Sequence, residues 1–332
     1  MENAPTMHRV AAIDLGTVSS RLSLAVAAGG TVLSARKHTE ITDLGQGVDA
    51  TGRFDEAAVE RVAAACATFV EEARAFGAEA VSTTLTSAAR DAQNAEELLG
   101  RLRDLGLIPQ IIPGEVEARL TFYGVAHDFP GERIAVADSG GGSTEIVVGS
   151  YLPEQGSLEL ERVQSLDIGC RRVTDRLLPG DPPLGADILA AGRWAHEQFE
   201  AYWATAPEHP DRLVAVGGTV TTLVALTHKL VPYDASFVHL HALTALEVER
   251  AIDCMRKLSA SEIAELPGIQ PKRAPVMLAG AVVIRELMRA GGYDELTVSE
   301  NSLLAGAAST IGEVLAGEHP VVGWTPELSH ER

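Results

Sequence analysis

Residues 133–150 read RIAVADSGGGSTEIVVGS, an apolar run that ends at Asp138, a turn of three glycines and a second apolar run. Residues 9–38, RVAAIDLGTVSSRLSLAVAAGGTVLSARKH, have the same order, with Asp14 in the place of Asp138. Each stretch predicts antiparallel strands joined by tight turns, and residues 158–169, LELERVQSLDIG, supply the third strand of the later copy. Asp138 lies 124 residues after Asp14, which is too long for a solenoid repeat. The sequence therefore predicts two similar domains.

Helical and strand-like segments alternate outside these two stretches. Apolar periodicity and turn residues predict helices at 55–76, from Thr86, from Pro113, at 187–206 and from Ser302, and strands at 80–85, 108–112, 213–216 and 296–299. Alternation of this kind is typical of an α/β fold. After residue 318 the periodicity fades, so residues 316–332 are expected to form a tail.

Composition limits the class of function. The 332 residues carry 27 Lys and Arg against 46 Asp and Glu, a formal charge of -19, which argues against a nucleic-acid partner. The longest apolar run, residues 274–284, is shorter than a membrane span and predicts a buried helix, so no membrane partner is expected. Three widely spaced cysteines and the lack of an apparent export signal favour a reduced, cytoplasmic protein.

Three glycine-containing turns are candidate phosphate-binding sites. Glycine lets backbone amides approach an anion, hydroxyls add donors, and an aspartate can hold a metal ion or its water. The turns contain Gly16, Thr17, Ser19 and Ser20; Gly140, Gly141, Gly142 and Ser143; and Gly217, Gly218 and Thr219. The third turn joins a strand to a helix, which aims helix amides at an anion. Ordinary hairpin turns, and capping of that helix by Thr219, are the alternative interpretations.

Together these motifs resemble those of the acetate and sugar kinase, Hsp70 and actin superfamily. Three segments narrow this resemblance: TSAARDAQN at 86–94, GEVEARL at 114–120 and DSGGGSTE at 138–145. With them, the chain is similar to the Ppx/GppA family of exopolyphosphatases and guanosine pentaphosphate phosphohydrolases. The resemblance implies two similar actin-like (ribonuclease H-like) α/β domains with an interdomain cleft. We expect domain I at 1–126, domain II at 127–315 with a last helix at 302–315 that packs back on domain I, and then the tail.

The resemblance also assigns roles to residues. It implies that Glu117 is the base that activates water, because it occupies the position of the family's second motif glutamate; Val116 replaces the first glutamate. Arg90, in the first turn of its helix, is a candidate phosphate clamp, and a solvated surface position is the alternative. Asp14, Asp138 and Glu145 are the expected ligands of Mg²⁺ or Mn²⁺. Arg119 follows the family pattern and is expected either to support the site or to form a structural salt bridge.

The predicted function is release of terminal orthophosphate from inorganic polyphosphate, with short chains favoured by the acidic surface. Hydrolysis of the 5′ γ-phosphate of guanosine pentaphosphate is the alternative, and a non-catalytic sensor of polyphosphate or alarmone is a second one. An ATP-dependent small-molecule kinase is disfavoured by residues 114–120. The family resemblance further implies a homodimer, and the chain resembles the short members that lack a helical C-terminal extension.

Two further features have simpler interpretations. His239 and His241 alternate and could share a metal ion, but no third ligand is near in sequence, so a strand or loop role is preferred. Arg171, Arg172, Lys272 and Arg273 form two small basic clusters. They are expected on exposed faces, and guidance of a long polyanion is the functional alternative.

Overall fold

The structure is a computed structural model and describes residues 6–205 and 208–330, so Ala206, the last residue of one predicted helix, lies outside the described residues. The strands are β1 His8–Leu15, β2 Ser19–Ala28, β3 Thr31–Ile41, β4 Ala80–Leu85, β5 Pro109–Ile111, β6 Ile134–Ser139, β7 Thr144–Leu152, β8 Ser157–Leu166, β9 Arg212–Val216, β10 His241–Thr244, β11 Glu295–Val298 and β12 Leu328–Ser329. The helices are α1 Val48–Thr51, α2 Glu56–Phe76, α3 Ser87–Asp91, α4 Ala95–Asp104, α5 Gly114–Ala126, α6 Cys170–Leu177, α7 Gly185–Trp203, α8 Gly218–Thr227, α9 Ala235–Val238, α10 Ala245–Met255, α11 Ala260–Ile263, α12 Ala274–Gly291 and α13 Leu303–Leu315. The predicted α/β class is confirmed.

Two sheets repeat one topology. The first has the order β12-β4-β1-β2-β3, with β5 also paired to β4, and the second has the order β10-β11-β9-β6-β7-β8. In each sheet an antiparallel hairpin is followed by a strand that lies parallel to its first strand, β4 beside β1 and β9 beside β6. The sequence repeat therefore predicted the correct sheet architecture.

Alternating side chains of β1 explain how the first sheet is covered. Ile13 and Leu15 point into a core formed with α2 and α4, whereas Val10 and Ala12 point into a core formed with α5 and α13. Successive side chains of a strand face opposite sides, and both sides of β1 are covered by helices. This explains why residues 10–13 read as a continuous apolar run.

The chain divides into two compact units. Unit 1 contains the residues up to Gly131, residues 151–159 and the chain from Ser302 onward, and unit 2 contains residues 132–150 and 160–301. Within unit 1, α13 packs on α5, β1 and β2. Within unit 2, α12 is central and packs against α7, α6 and α10, as expected for the apolar run 274–284. Among the described residues, no helix has the length and apolarity that crossing a membrane requires.

The end of the chain is more ordered than the sequence suggests. Leu328 and Ser329 pair antiparallel with β4, and the Ser329 hydroxyl donates to the Val81 carbonyl oxygen at 3.2 Å. Val322 is buried in the same core as α13. The prediction of a tail is wrong for these residues, because a two-residue strand shows no periodicity. Residues 331 and 332 of the predicted tail lie outside the described residues.

Candidate active site

The parallel strands β1 and β4 bring two sequence motifs together in unit 1. Asp14 is in register with Thr84, and the Thr86 amide donates to the Leu15 carbonyl oxygen at 3.3 Å. A Cβ atom at Gly16 would lie 3.9 Å from Thr86 Oγ1. Parallel neighbours end at the same edge of a sheet, so the Asp14 turn and the start of α3 form one surface.

Asp14 has one satisfied and one unsatisfied carboxylate oxygen. Its side chain is 1% exposed, and Oδ2 accepts from Arg21 Nε at 2.9 Å, Arg21 being its register partner on β2. Oδ1 is buried and has no hydrogen-bond donor among the described residues. An unpaired buried acceptor costs about 1–3 kcal/mol, and such an atom is typical of a site that a ligand completes.

The turn after Asp14 uses several of its polar groups internally. The Gly16 amide donates to the Ser19 carbonyl oxygen at 3.0 Å and closes the turn. The Thr17 carbonyl oxygen accepts from the Gly45 amide at 2.8 Å. The buried Ser20 hydroxyl is 2.8 Å from Thr42 Oγ1. This bond holds Ser20 inside the fold, and the predicted contact of Ser20 with phosphate stays a prediction.

Arg90 and Glu117 form an ion pair beside this turn. Arg90 Nη1 donates to Glu117 Oε2 at 2.8 Å and to the Ile112 carbonyl oxygen at 3.0 Å. Glu117 lies in the first turn of α5 and is 8% exposed. The Arg90 side chain is 24% exposed and paired on both of these acceptors, so it is not the solvated surface side chain of the alternative interpretation. Of the neighbouring motif residues, Val116 packs against the α13 core and Glu115 is exposed.

The remaining motif arginine, Arg119, points toward the C-terminal segment. Its Nη1 lies 3.6 Å from where a Cβ atom at Gly323 would be. Its Nε is buried without a hydrogen-bond acceptor among the described residues.

In unit 2 the triple-glycine turn repeats the geometry of the Asp14 turn. The Gly140 amide donates to the Ser143 carbonyl oxygen at 3.0 Å, as Gly16 does to Ser19. The Gly141 carbonyl oxygen accepts from the amides of Arg171 and Arg172 at 2.8 and 3.1 Å. A Cβ atom at Gly169 would lie 2.4 Å from the carbonyl carbon of Gly141. Close packing of the start of α6 on this turn is thus the physical reason for the glycine at position 169.

Gly217 and Gly218 each have a separate structural requirement. Gly217 has a φ of 103°, which disfavours any side chain, and it is the N-cap of α8. A Cβ atom at Gly218 would lie 2.1 Å from Arg273 Nη1, so the guanidinium covers this glycine. Thr219 lies within α8 and packs against Gly280 of α12. The alternative in which Thr219 caps the helix is therefore wrong.

Three arginines of the predicted surface clusters are buried near these turns. Arg171, Arg172 and Arg273 are 6%, 8% and 7% exposed, whereas Lys272 is exposed. Arg172 Nε donates to the Gly142 carbonyl oxygen at 2.7 Å, and Arg171 Nη1 is 3.3 Å from Asp175 Oδ1. Sequence analysis missed these residues as site candidates. A usable signal is that Arg171 and Arg172 come two and three residues after the Gly169 that ends the second repeat.

Asp138 and Glu145 are carboxylates of unit 2 on the two strands that the triple-glycine turn joins. They face each other in register on β6 and β7, and they are 6% and 2% exposed. Glu145 Oε1 accepts from Ser165 Oγ at 2.7 Å, and Asp138 Oδ1 lies 3.2 Å from where a Cβ atom at Gly217 would be. Paired buried carboxylates, like the unsatisfied Asp14 oxygen in unit 1, are donors that suit a hard divalent cation.

Comparisons with known proteins show the family of the chain. The sequence model of the Ppx/GppA phosphatase family matches residues 25–309. Exopolyphosphatase 2 of Mycobacterium tuberculosis is 37% identical over 322 residues, covering 92% of this chain and 99% of the relative. Exopolyphosphatase 1 of Mycobacterium bovis is 30% identical, covering 90% and 86%. The crystal structure of the Aquifex aeolicus Ppx/GppA family member superimposes with a TM-score of 0.75 at 30% identity, covering 95% of this chain and 100% of that one.

Fold, site and relatives define a hydrolase that acts on phosphoanhydride bonds and has the two-domain actin-like fold. The chain belongs to the Ppx/GppA phosphatase family. Phosphatases of this family generally depend on a divalent metal ion.

Proposed function

We propose that this phosphatase is an exopolyphosphatase, which releases terminal orthophosphate from inorganic polyphosphate. The observation that carries the proposal is the partly buried Arg90–Glu117 pair beside the Asp14 turn. With the unsatisfied Asp14 oxygen, the pair places a carboxylate, a guanidinium and a second acidic group near one sheet edge. The names of the mycobacterial relatives support polyphosphate as the substrate.

Glu117 is the proposed base. In an in-line transfer, the oxygen of water forms a bond to the terminal phosphorus while the anhydride oxygen leaves with the shortened chain. Glu117 accepts the proton that this water loses. Arg90 fixes the carboxylate through Nη1, and its anchor on the Ile112 carbonyl oxygen keeps α3 and the start of α5 in one arrangement. Arg90 is therefore a positioning residue in this mechanism, and its contact with phosphate stays a prediction.

Carboxylates are the proposed metal ligands in each unit, Asp14 in unit 1 and Asp138 with Glu145 in unit 2. Asp14 Oδ1 fits this role because it is buried and lacks a hydrogen-bond donor among the described residues. Asp138 and Glu145 fit because the strand register puts both side chains on one face. A bound Mg²⁺ or Mn²⁺ ion supplies charge neutralisation of phosphate oxygens.

Backbone groups and arginines are the proposed phosphate contacts. In unit 1 they come from the turn containing Gly16, Thr17 and Ser19. In unit 2 they come from residues 140–143 and 217–219, where the N-terminus of α8 favours an anion. Arg172 and Arg273, which border these turns, are added to the set that sequence analysis suggested.

Short chains are the proposed substrate. The formal charge of -19 repels the distal part of a long polyanion. Three of the four arginines and lysines that were candidates for guiding such a polymer are instead buried near the unit 2 turns. A homodimer and a cytoplasmic location stay predictions.

Phosphate release from short polyphosphate, long polyphosphate, guanosine pentaphosphate and ATP tests the proposal, with and without Mg²⁺. Glu117→Gln is compared with Glu115→Gln, which changes an exposed glutamate of the same helix. We expect turnover of polyphosphate that falls by about 10²-fold or more in Glu117→Gln and is unchanged in Glu115→Gln.

Each alternative has its own outcome. Full activity of Glu117→Gln removes this residue from the mechanism. Preferential turnover of guanosine pentaphosphate identifies the nucleotide as the substrate, and binding without turnover of any compound identifies a sensor. Equal or rising kcat/KM with chain length at physiological salt contradicts the short-chain preference.

A further inference from the structure

Three potential metal ligands converge in unit 2 around the C-terminal end of α8. His228 directly follows α8, His241 begins β10, and Glu247 lies in the first turn of α10. One ligand atom from each of the three residues lies within 4.8 Å of the others. His228 Nε2 is 3.5 Å from Glu247 Oε1, and the two imidazole centroids are 4.7 Å apart. Metal bonds of 2.0–2.2 Å at a tetrahedral angle put two ligand atoms about 3.4 Å apart, so the pair has nearly the required spacing.

Neighbouring groups hold these side chains in place. Glu247 Oε2 accepts from the Thr244 amide at 2.9 Å and from Thr244 Oγ1 at 2.7 Å, as part of the capping box of α10. Phe237 stacks on His241 at 4.9 Å and meets His228 edge-on at 5.0 Å. Contacts that fix the orientation of a ligating carboxylate or imidazole are typical of metal sites in proteins.

The neighbouring histidine of the sequence is not part of this cluster. His239, the other histidine of the sequence pair, is directed elsewhere, because its Nδ1 accepts from the Glu300 amide at 3.3 Å.

We propose that His228, His241 and Glu247 form a binding site for one divalent transition-metal ion of the Zn²⁺ type. Two imidazoles and one carboxylate are donors that zinc accepts, whereas Mg²⁺ prefers oxygen ligands only. His228 is exposed, which leaves room for water as a fourth ligand. The site is separate from the phosphate-binding turns, because α8, with 10 residues, is about 15 Å long and the turns lie at its opposite end.

The ion would join three separate secondary-structure elements within residues 218–255. It would connect the end of α8 to the first residue of β10 and to the first turn of α10. A ligand that binds only the folded state stabilises it by RT ln(1 + L/Kd), where L is the free ligand concentration. Zinc is therefore expected to raise the Tm, independently of any effect on phosphate release.

The test uses the full chain without a histidine tag, in excess Mg²⁺ so that sites for hard cations are filled. Zn²⁺ is titrated by calorimetry, and Co²⁺ by its visible absorption, which reports nitrogen ligation and coordination number. We expect one equivalent to bind, with a rise in Tm. His241→Ala should remove this binding, and Glu247→Gln, which can still form the capping box, should weaken it about tenfold or more.

His239→Ala is the matched control, because it removes a histidine two residues from His241 that lies outside the cluster. It should bind Zn²⁺ as the wild type does. Retention of the one-equivalent binding in a His228→Ala, His241→Ala double variant overturns the proposal, and so does a wild type that binds no zinc under these conditions. Because the readouts are binding, absorption and Tm, their failure leaves the proposed exopolyphosphatase activity untouched.

Discussion

Arg90 Nη1 donates both to Glu117 Oε2 and to the Ile112 carbonyl oxygen, so one guanidinium nitrogen joins α3 to the first turn of α5. The two charged residues are 27 positions apart in sequence. A carboxylate that is to accept a proton from water must hold one orientation, and this pair provides it.

Arg90→Lys is expected to lower kcat by about tenfold to a hundredfold, because an ammonium group does not reproduce the planar geometry of a guanidinium. Steady-state phosphate release measures the effect. Arg101→Lys, which alters an exposed ion pair with Glu60 on the surface of unit 1, is the control and should be neutral.

Coupling between the two residues is a sharper measure of the positioning role. If Arg90 acts through Glu117, Arg90→Lys should have little further effect on kcat in a Glu117→Gln background. Additive losses in the double variant would contradict this role.

Gly306→Ala should destabilise unit 1 strongly. The new Cβ atom would lie 1.9 Å from the Leu120 carbonyl oxygen, where α13 and α5 pack closely. Backbone atoms cannot move aside as a flexible side chain can, so a loss of about 3 kcal/mol is expected in the free energy of unfolding. Gly100→Ala in α4 has nothing within 4 Å of its new Cβ atom, and it should stabilise the protein by about 0.5–1 kcal/mol. Urea unfolding of both variants distinguishes the two cases, and equal effects would refute the packing argument.

His38 should make stability depend on pH. Burial alone would lower the pKa of His38, but hydrogen bonds to Glu72 Oε1 at 2.6 Å and Glu40 Oε1 at 3.3 Å outweigh it, so the pKa is raised above 6.5. The stabilisation is complete below the ordinary histidine pKa and is lost as pH rises through the higher pKa of the folded state.

The Tm difference between wild type and His38→Gln is therefore expected to be larger at about pH 6 than at about pH 9. Substitution of the exposed His319 by Gln is the control and should give a Tm difference that is flat with pH. A His38→Gln difference that grows toward alkaline pH would show that the pair does not act in this way.

The three thiols should differ in reactivity. Burial raises the pKa of the Cys66 thiol to about 12, and Cys170 is also buried, whereas Cys254 is exposed. Because the thiolate is the reactive form, a disulfide reagent should modify one thiol of the native protein rapidly at neutral pH and all three in denaturant. Cys254→Ser should remove the rapid phase, and its persistence would be inconsistent with this structure.

The family resemblance predicted several site residues, but not the side chains and backbone groups that they contact. The Asp14 and Asp138 turns were visible because a strand followed by glycine is a local pattern. The bond from Arg21 to Asp14 Oδ2, the burial of Arg171, Arg172 and Arg273, and the packing of α6 on Gly141 were not visible. A run of basic residues has the same appearance in sequence whether it is solvated or buried beside carbonyl oxygens.

By itself, the sequence determined the repeated strand and turn order, the α/β class and the family to which the chain belongs, because these depend on hydrophobic periodicity and motifs within short segments. Only the tertiary structure decided which side chains meet: Arg90 with Glu117, Ser20 with Thr42, and His241 with His228 and Glu247 rather than with His239. The reason is physical. Strand pairing and helix packing bring together residues of different secondary-structure elements, and local periodicity contains no information about which elements will meet.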